Sequence, residues 1–252
     1  MPPFMDRNDA GRQLAGLLAA FRGHDVVLLA LPGGGVRVAH EIAARLHVLL
    51  DVILVQPLAV ARCPDLVYGL LGEEHTLLID TAAVARGQLG DPEREDTELT
   101  QSKILRHSAF SYRGEYPRVS LENRTAVIVD DCLTEPGAVR DACRMARMHG
   151  AIRVAVAVPV AGRQALSGLS PYADKIVCLN APAQSPSAGH WYRDAAPTTS
   201  SDIASMLGTN HSAAASDSAA ASDSPVGLPP GFDGASRITP ASRSTSMRGR
   251  WP

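Results

Sequence analysis

The sequence has few cysteines, and their spacing argues against two common classes of site. The 252 residues include four cysteines and no CxxC pair. Zinc-binding and thiol redox motifs place cysteines in close pairs, so neither kind of motif is expected here. Reduced, buried thiols in a cytoplasmic protein are the expectation. The four are Cys63, Cys132, Cys143 and Cys178.

The sequence also lacks an excess of positive or negative charge, and it lacks a long apolar run. The 24 Lys and Arg residues nearly balance the 26 Asp and Glu residues, which gives no reason to expect a nucleic-acid or membrane partner. The opening "MPPFMDRNDAGRQ" has no basic stretch before an apolar core, as a signal peptide would. The most apolar window, "VVLLALPGGG" (26–35), is too short to span a bilayer. Together these absences favour a cytoplasmic location.

Familiar catalytic motifs do not occur. No GxSxG or HExxH is found, so neither a serine-nucleophile elbow nor a helical zinc site is expected. His40 and His47 lie seven residues apart on one predicted helix, and we interpret them as surface or boundary residues. Any chemistry must therefore come from the loops between regular elements.

Apolar runs alternate with helical patterns along the chain. The runs are typical of strands buried on both faces, and they predict strands at 25–31, 51–56, 75–80, 124–130, 151–160 and 175–179. Spacing of apolar residues predicts helices at 7–22, 36–46, 93–112, 137–149 and 162–169. This alternation predicts an α/β fold with an open, mainly parallel sheet flanked by helices.

Composition changes sharply near Thr209. The remaining residues are mostly Ser, Ala, Gly, Pro and Asp, and they include the near repeat "AAASDSAAASDS" (213–224). Such a segment has too few large apolar side chains to offset its ordering entropy. We therefore predict one domain over residues 1–208 and a disordered tail over residues 209–252.

Three segments follow predicted strands, where ligands bind in open α/β sheets. They are "LPGGGV" (31–36), "VQPLAV" (55–60) and "VDDCLTEPGAV" (129–139). The third carries two adjacent acids, Asp130 and Asp131, which need sugar hydroxyls, a hydrated Mg²⁺ or basic side chains to satisfy them. A helix cap or an arginine pair is the purely structural alternative.

The glycines of "LPGGGV" permit a tight turn and close approach of a ligand. A dinucleotide loop is one interpretation, but the third glycine of GxGxxG would fall on Val38. A turn that binds no ligand is the other interpretation.

Several segments, in order and with similar spacing, resemble the type I phosphoribosyltransferases over about residues 4–207. The likeness is greatest to a bacterial branch that is often fused to a hydrolase. The segments are "FMDRNDAGRQLAGLL", "LPGGGVRVAHEIAARL", "LDVILVQPLAV", "DLVYGLL", "RTAVIVDDCLTEPGAVRDA" and "HWYRDAAPTTSSDI". The resemblance implies a glycosyltransferase of nucleotide metabolism, which moves phosphoribose from 5-phosphoribosyl 1-pyrophosphate (PRPP) to a nucleobase. It also implies a Mg²⁺ cofactor and a homodimer.

The resemblance also assigns roles to residues. Asp130 and Asp131 match the catalytic acids that hold the ribose hydroxyls, and we predict them as Mg²⁺ ligands as well. The glycines Gly33, Gly34 and Gly35 occupy the pyrophosphate loop. The 5′-phosphate loop is occupied by Thr134, Glu135, Gly137 and Ala138.

This sequence departs from the family pattern at the positions that bind anions. Gly33 stands where an arginine is usual, and Gln56 and Pro57 replace an Arg-Lys pair. The usual Thr-Gly-Ala-Thr of the phosphate loop becomes Glu135 to Ala138. Each lost hydrogen bond to a charged group costs roughly 1.5–3 kcal/mol, and about 1.4 kcal/mol is tenfold in affinity. Weak or lost activity is therefore the prediction.

Two other functions remain open at this stage. A working transferase would use Gly137, the following helix start and Arg140 as its cation. A non-catalytic module would sense a ribose phosphate or nucleotide, or bind a partner. For the acceptor base, Leu179, Trp191 and Tyr192 either form a wall or close the core.

Overall fold

The computed structural model describes residues 3–23, 25–183 and 188–221, and its strands form two sheets. The strands are β1 (Val26–Ala30), β2 (Leu49–Val52), β3 (Val55–Val60), β4 (Cys63–Gly72), β5 (Leu77–Ile79), β6 (Thr125–Val129), β7 (Arg153–Val160) and β8 (Lys175–Asn180). Five parallel strands form the main sheet in the order β2-β1-β6-β7-β8, and an antiparallel small sheet has the order β3-β4-β5.

Helices cover both faces of the main sheet, which confirms the predicted fold class. The helices are α1 (Arg7–Leu17), α2 (Gly34–Leu46), α3 (Thr81–Arg86), α4 (Asp91–Arg113), α5 (Gly137–Met148), α6 (Arg163–Leu169) and α7 (Ser200–Ala221). Among the described residues, none of these helices is long and apolar enough to cross a membrane.

Strand β1 shows why the apolar run is continuous. All five of its residues are buried, because successive side chains point to opposite faces of a sheet that is covered twice. Leu28 packs in the core shared by α1, α2 and α7, whereas Val27 and Leu29 pack in the core shared by α5 and α6. The central position of β1 between β2 and β6 brings the ends of these strands to one edge.

The strand predicted over 51–56 is wrong in one respect. Strand β2 ends at Val52, and Val55 already belongs to β3 of the small sheet. Ile53 and Leu54 are both buried at the crossing, so the apolar pattern continues although the chain changes sheets. Periodicity reports burial and does not report which sheet buries a residue.

Helix α7 continues the domain past the predicted boundary. Its Ile203 and Leu207 are buried in the core, and the side chain of Asn210 accepts a hydrogen bond from the backbone N–H of Leu50 in strand β2. The boundary predicted between residues 208 and 209 therefore falls inside a helix that runs to Ala221. The rest of the predicted tail, 222–252, lies outside the described residues.

Candidate functional site

A cavity of about 690 Å³ lies between the carboxyl edge of the main sheet and the small sheet. It is formed by the turn after β1, by β3, by α4, by the end of β6 and by the start of α5. The polar residues that line it are Gln56, Ser108, Tyr112, Asp130 and Asp141. This is the place where open α/β sheets bind ligands.

Asp130 follows the last residue of β6 and lines the cavity. Its Oδ1 accepts a hydrogen bond of 2.8 Å from the backbone N–H of Asp131. Burial of the carboxyl group, followed by the negative charge of Asp131, raises the pKa of Asp130 to about 7. The backbone bond and the charge of Arg7 oppose this rise and do not cancel it. Asp130 is thus an acid whose charged form gains from a hydroxyl donor or a cation.

Asp131 is engaged elsewhere. Its Oδ2 accepts a 2.7 Å hydrogen bond from Nε of Arg7, and Arg7 also donates to the backbone carbonyl of Ala196 at 3.0 Å. Tyr192 donates its hydroxyl to the backbone carbonyl of Asp131 at 2.7 Å, and its ring centroid lies 5.0 Å from the Arg7 guanidinium. Asp131 therefore joins α1, the end of β6 and the 192–196 segment.

The glycines after β1 let these carboxyl groups pack against the turn. A Cβ on Gly34 would strike the Asp131 carboxylate and the Arg7 guanidinium, and one on Gly35 would lie 2.9 Å from the carbonyl oxygen of Val129. Gly33 precedes α2 with φ of 109°, a conformation that a side chain rarely adopts. The structure thus brings the predicted glycine loop and the predicted acids together.

The predicted phosphate loop has two parts with different surroundings. Thr134 and Glu135 are exposed, while Gly137 and Ala138 line the cavity at the start of α5. Pro136 is the residue before the helix and makes no side-chain cap. Proline has no N–H, so one of the usual phosphate donors is missing at this turn.

Arg140, the cation of the working-transferase hypothesis, does not line the main cavity. Its Nε donates to Oδ1 of Asp141 at 3.0 Å, and this bond raises the pKa of Arg140 despite its partial burial. Arg140 lines a separate hollow of about 220 Å³ with Asp80, Arg144 and Tyr172. Within the described part of the chain, neither Lys nor Arg lines the main cavity.

The donor set offers a Mg²⁺ one carboxylate of the predicted pair. Mg²⁺ takes one or two carboxylates together with water and substrate phosphates. No group of three or more His, Cys, Asp or Glu side chains is placed to hold a metal among the described residues. Asp131 already has Arg7 on one oxygen, which leaves Asp130 as the carboxylate of the pair that faces the cavity. The predicted Mg²⁺ remains a prediction.

Tyr192 closes the core and does not line the cavity. It is buried against Phe4, with ring centroids 5.7 Å apart, and Leu179 and Trp191 pack against the same cluster. Burial, followed by the charge of Asp131, raises the pKa of Tyr192. Tyr192 was predicted either to wall the acceptor base or to close the core, and Arg7 was not predicted as a site residue. An arginine partner was among the alternatives for the acids, but nothing in the spacing identified Arg7.

Known proteins are similar to this chain in sequence and in fold. No family model matches the chain. Two proteins from strains of Mycobacterium tuberculosis, each named "Putative phosphoribosyl transferase", are 37% identical over 211 residues, covering 84% of this chain and 48% of theirs. The chain thus spans about half the length of these relatives. The crystal structure of the protein TT1426 from Thermus thermophilus matches with a TM-score of 0.72 and 33% identity, covering 81% of this chain and 97% of that one.

Proposed function

We propose that this chain is a phosphoribosyltransferase-like protein of the type I family that recognises ribose at Asp130 and has weak or lost transferase activity. One observation carries the proposal. Among the described residues that line the cavity, Asp130 and Asp141 are acidic and none is basic.

The chemistry of phosphoribosyl transfer explains why this charge matters. Negative charge grows on the departing pyrophosphate, so the reaction depends on Mg²⁺ and on cationic donors aimed at that group. Two candidate cations are held by carboxylates, Arg7 by Asp131 and Arg140 by Asp141. Losing two or three charge-assisted hydrogen bonds weakens PRPP binding by several powers of ten.

Ribose recognition needs a carboxylate that accepts hydrogen bonds, and the site retains one. The Asp130 carboxylate lies at a strand end and lines the cavity. Ribose hydroxyls in the cavity would donate hydrogen bonds to it. A nucleobase acceptor, Mg²⁺ carried by a phosphorylated substrate and a homodimer belong to the same proposal. The second candidate is a non-catalytic module that senses a ribose phosphate or nucleotide. The lack of cations among the described residues of the cavity supports its lack of catalysis and does not support binding of the phosphate.

Pyrophosphate release from PRPP with Mg²⁺ and a panel of nucleobases tests the activity. We expect a turnover below about 10⁻² s⁻¹, whereas ordinary enzymes reach about 1–10³ s⁻¹. Turnover of about 1 s⁻¹ with any base would overturn the weak-activity proposal. Isothermal titration with ribose-containing ligands tests recognition, and Asp130→Asn should abolish the binding seen with the wild type. Asp96→Asn, an exposed change on α4, is the control.

A further inference from the structure

The charge and walls of the main cavity indicate a more specific ligand than a ribose of any kind. We propose that the cavity binds a nucleoside, a ribose joined to an uncharged or cationic base and carrying no phosphate. This inference rests on the proposed ribose recognition at Asp130 and adds the class of ligand.

Acidic groups lie in the cavity and on the turn beside it. Asp130 and Asp141 line the cavity, and the exposed Glu135 lies two residues before Gly137 on the same turn. Among the described residues, no basic side chain lines the cavity to offset them. Asp141 is paired with Arg140, and Asp130, with a pKa of about 7, is partly ionised at neutral pH. A phosphate dianion would therefore meet the remaining negative charge of Asp130 without a cationic side chain in the cavity lining, and like charges in a partly desolvated site repel.

The start of α5 is a feature that favours an anion. Gly137 and Ala138 line the cavity there, and a helix start carries about half a positive charge. The nearby carboxylates of Asp130 and Glu135 each carry a whole negative charge when ionised. Pro136 also removes one backbone donor from the turn. The partial positive charge of the helix start is thus opposed by the negative charge of these acids.

The walls of the cavity suit a flat, largely apolar ring. Apolar side chains come from the turn after β1, from the β2–β3 connection, from β3 and from α4, and they include Leu31, Leu54, Val55 and Leu105. Gln56, Ser108 and Tyr112 supply amide and hydroxyl groups that can bond the edge of a base. Apolar walls with a few polar groups are typical of sites for uncharged organic ligands, and 690 Å³ lies within their usual size range.

Isothermal titration of the full chain with matched ligands tests the proposal. The probes are adenosine, guanosine, cytidine and uridine, each compared with its 5′-monophosphate and its 2′,3′-dideoxy form. We expect at least one nucleoside to bind with a Kd below about 100 μM. Its monophosphate should bind at least about tenfold more weakly, because of charge repulsion. Its dideoxy form should also bind at least about tenfold more weakly, because Asp130 loses its hydroxyl partners.

A charge reversal on the exposed turn sharpens the test. Glu135→Lys changes a side chain that is exposed, so folding should be preserved. The affinity for the monophosphate should rise at least about fivefold while that for the nucleoside stays within about twofold. Glu95→Lys, an exposed position on α4, makes the same change in net charge away from the turn and should alter neither affinity.

The outcomes separate this inference from the function on which it rests. A monophosphate that binds more tightly than its nucleoside overturns the nucleoside inference and leaves ribose recognition standing. A dideoxy form that binds as well as the nucleoside overturns ribose recognition at Asp130. Absence of binding by all four nucleosides up to millimolar concentration overturns the inference. Rapid pyrophosphate release from PRPP contradicts the weak-activity proposal and is measured independently.

Discussion

Arg7 decides how the two strand-end acids divide their roles. Its guanidinium and the Asp131 carboxylate are 11% and 14% exposed, so this ion pair is largely shielded from water. The pair holds Asp131 against the glycine turn, and Asp130 alone of the two faces the cavity. The two adjacent acids look equivalent in the sequence, but they have different roles in this fold. Asp131 is held in an ion pair with Arg7, and Asp130 faces the cavity.

We expect Arg7→Leu to lower the free energy of unfolding by about 2–4 kcal/mol, because it leaves the Asp131 carboxylate shielded and unpaired. Urea denaturation measures the change. Arg12→Leu is the control, since Arg12 is 39% exposed and its ion pair with Glu41 is 3.4 Å long. That variant should lose less than about 1 kcal/mol. Equal losses for the two variants would contradict a special role for Arg7.

A pair of glycine substitutions tests the packing of the same turn. Gly34→Ala should lower the free energy of unfolding by about 1–3 kcal/mol, because the new methyl group strikes the Asp131 carboxylate. Gly16→Ala places its methyl group in open space on α1 and should raise stability by up to about 1 kcal/mol. Thermal unfolding of both proteins compares them directly, and stabilisation by Gly34→Ala would refute the close contact.

At the scale of elements, buried charges fix the small sheet to the main one. Arg113, at the end of α4, donates to Glu73 at 2.6 Å and to the backbone carbonyl of Val52 at 2.8 Å. It also forms an ion pair with Asp51, which is fully buried in β2. The Asp51 carboxylate accepts a hydrogen bond of 2.9 Å from the backbone N–H of Val119. These bonds join β2, α4 and the turn after β4. They therefore connect the main sheet to the small sheet, and the cavity lies between these two sheets.

His149 makes this junction sensitive to acid. It follows α5 near Arg118 and Glu74, and burial, followed by the charge of Arg118, lowers the pKa of His149 to about 4. The unfolded chain binds a proton near pH 6.5, and the folded chain does not until about pH 4. Stability from the neutral imidazole is therefore present above pH 6.5 and is lost as pH falls towards 4.

We expect His149→Gln to reduce the loss of stability between pH 7 and pH 5 by roughly 1–2 kcal/mol, after allowance for solvent screening. Urea denaturation of the wild type and the variant at both pH values measures this difference. Other groups also titrate in this range, and they cancel when the two proteins are compared. Parallel stability profiles for the two proteins would contradict the role given to His149.

At the scale of the whole molecule, α7 connects the C-terminal part of the described chain to the edge strand β2. The side-chain oxygen of Asn210 accepts the backbone N–H of Leu50 at 2.8 Å, and its nitrogen donates to the carbonyl of Val48 at 3.3 Å. Strand β2 is at the edge of the main sheet, where unpaired backbone groups are a liability. Asn210 thus satisfies two backbone groups at the sheet edge that a further strand would otherwise pair.

Asn210→Ala should lower the free energy of unfolding by about 1–3 kcal/mol, because it leaves an edge N–H and a carbonyl without these partners. Thr209→Ala is the matched control on the neighbouring exposed position, and it should change stability by less than about 0.5 kcal/mol. Chemical denaturation distinguishes them. An unaffected Asn210→Ala protein would contradict the stabilising role given to these two hydrogen bonds.

The sequence by itself determined the fold class and the edge of the sheet where a site would lie. Buried strands such as β1 and the acids after β6 are local patterns, which depend on neighbours within a few residues. Tertiary structure alone decided that Asp131 meets Arg7, 124 residues away, and that 51–56 divides between two sheets. It also decided that no basic side chain, within the described residues, lines the cavity. Contacts between distant segments depend on how the elements pack, and neither periodicity nor spacing records that packing.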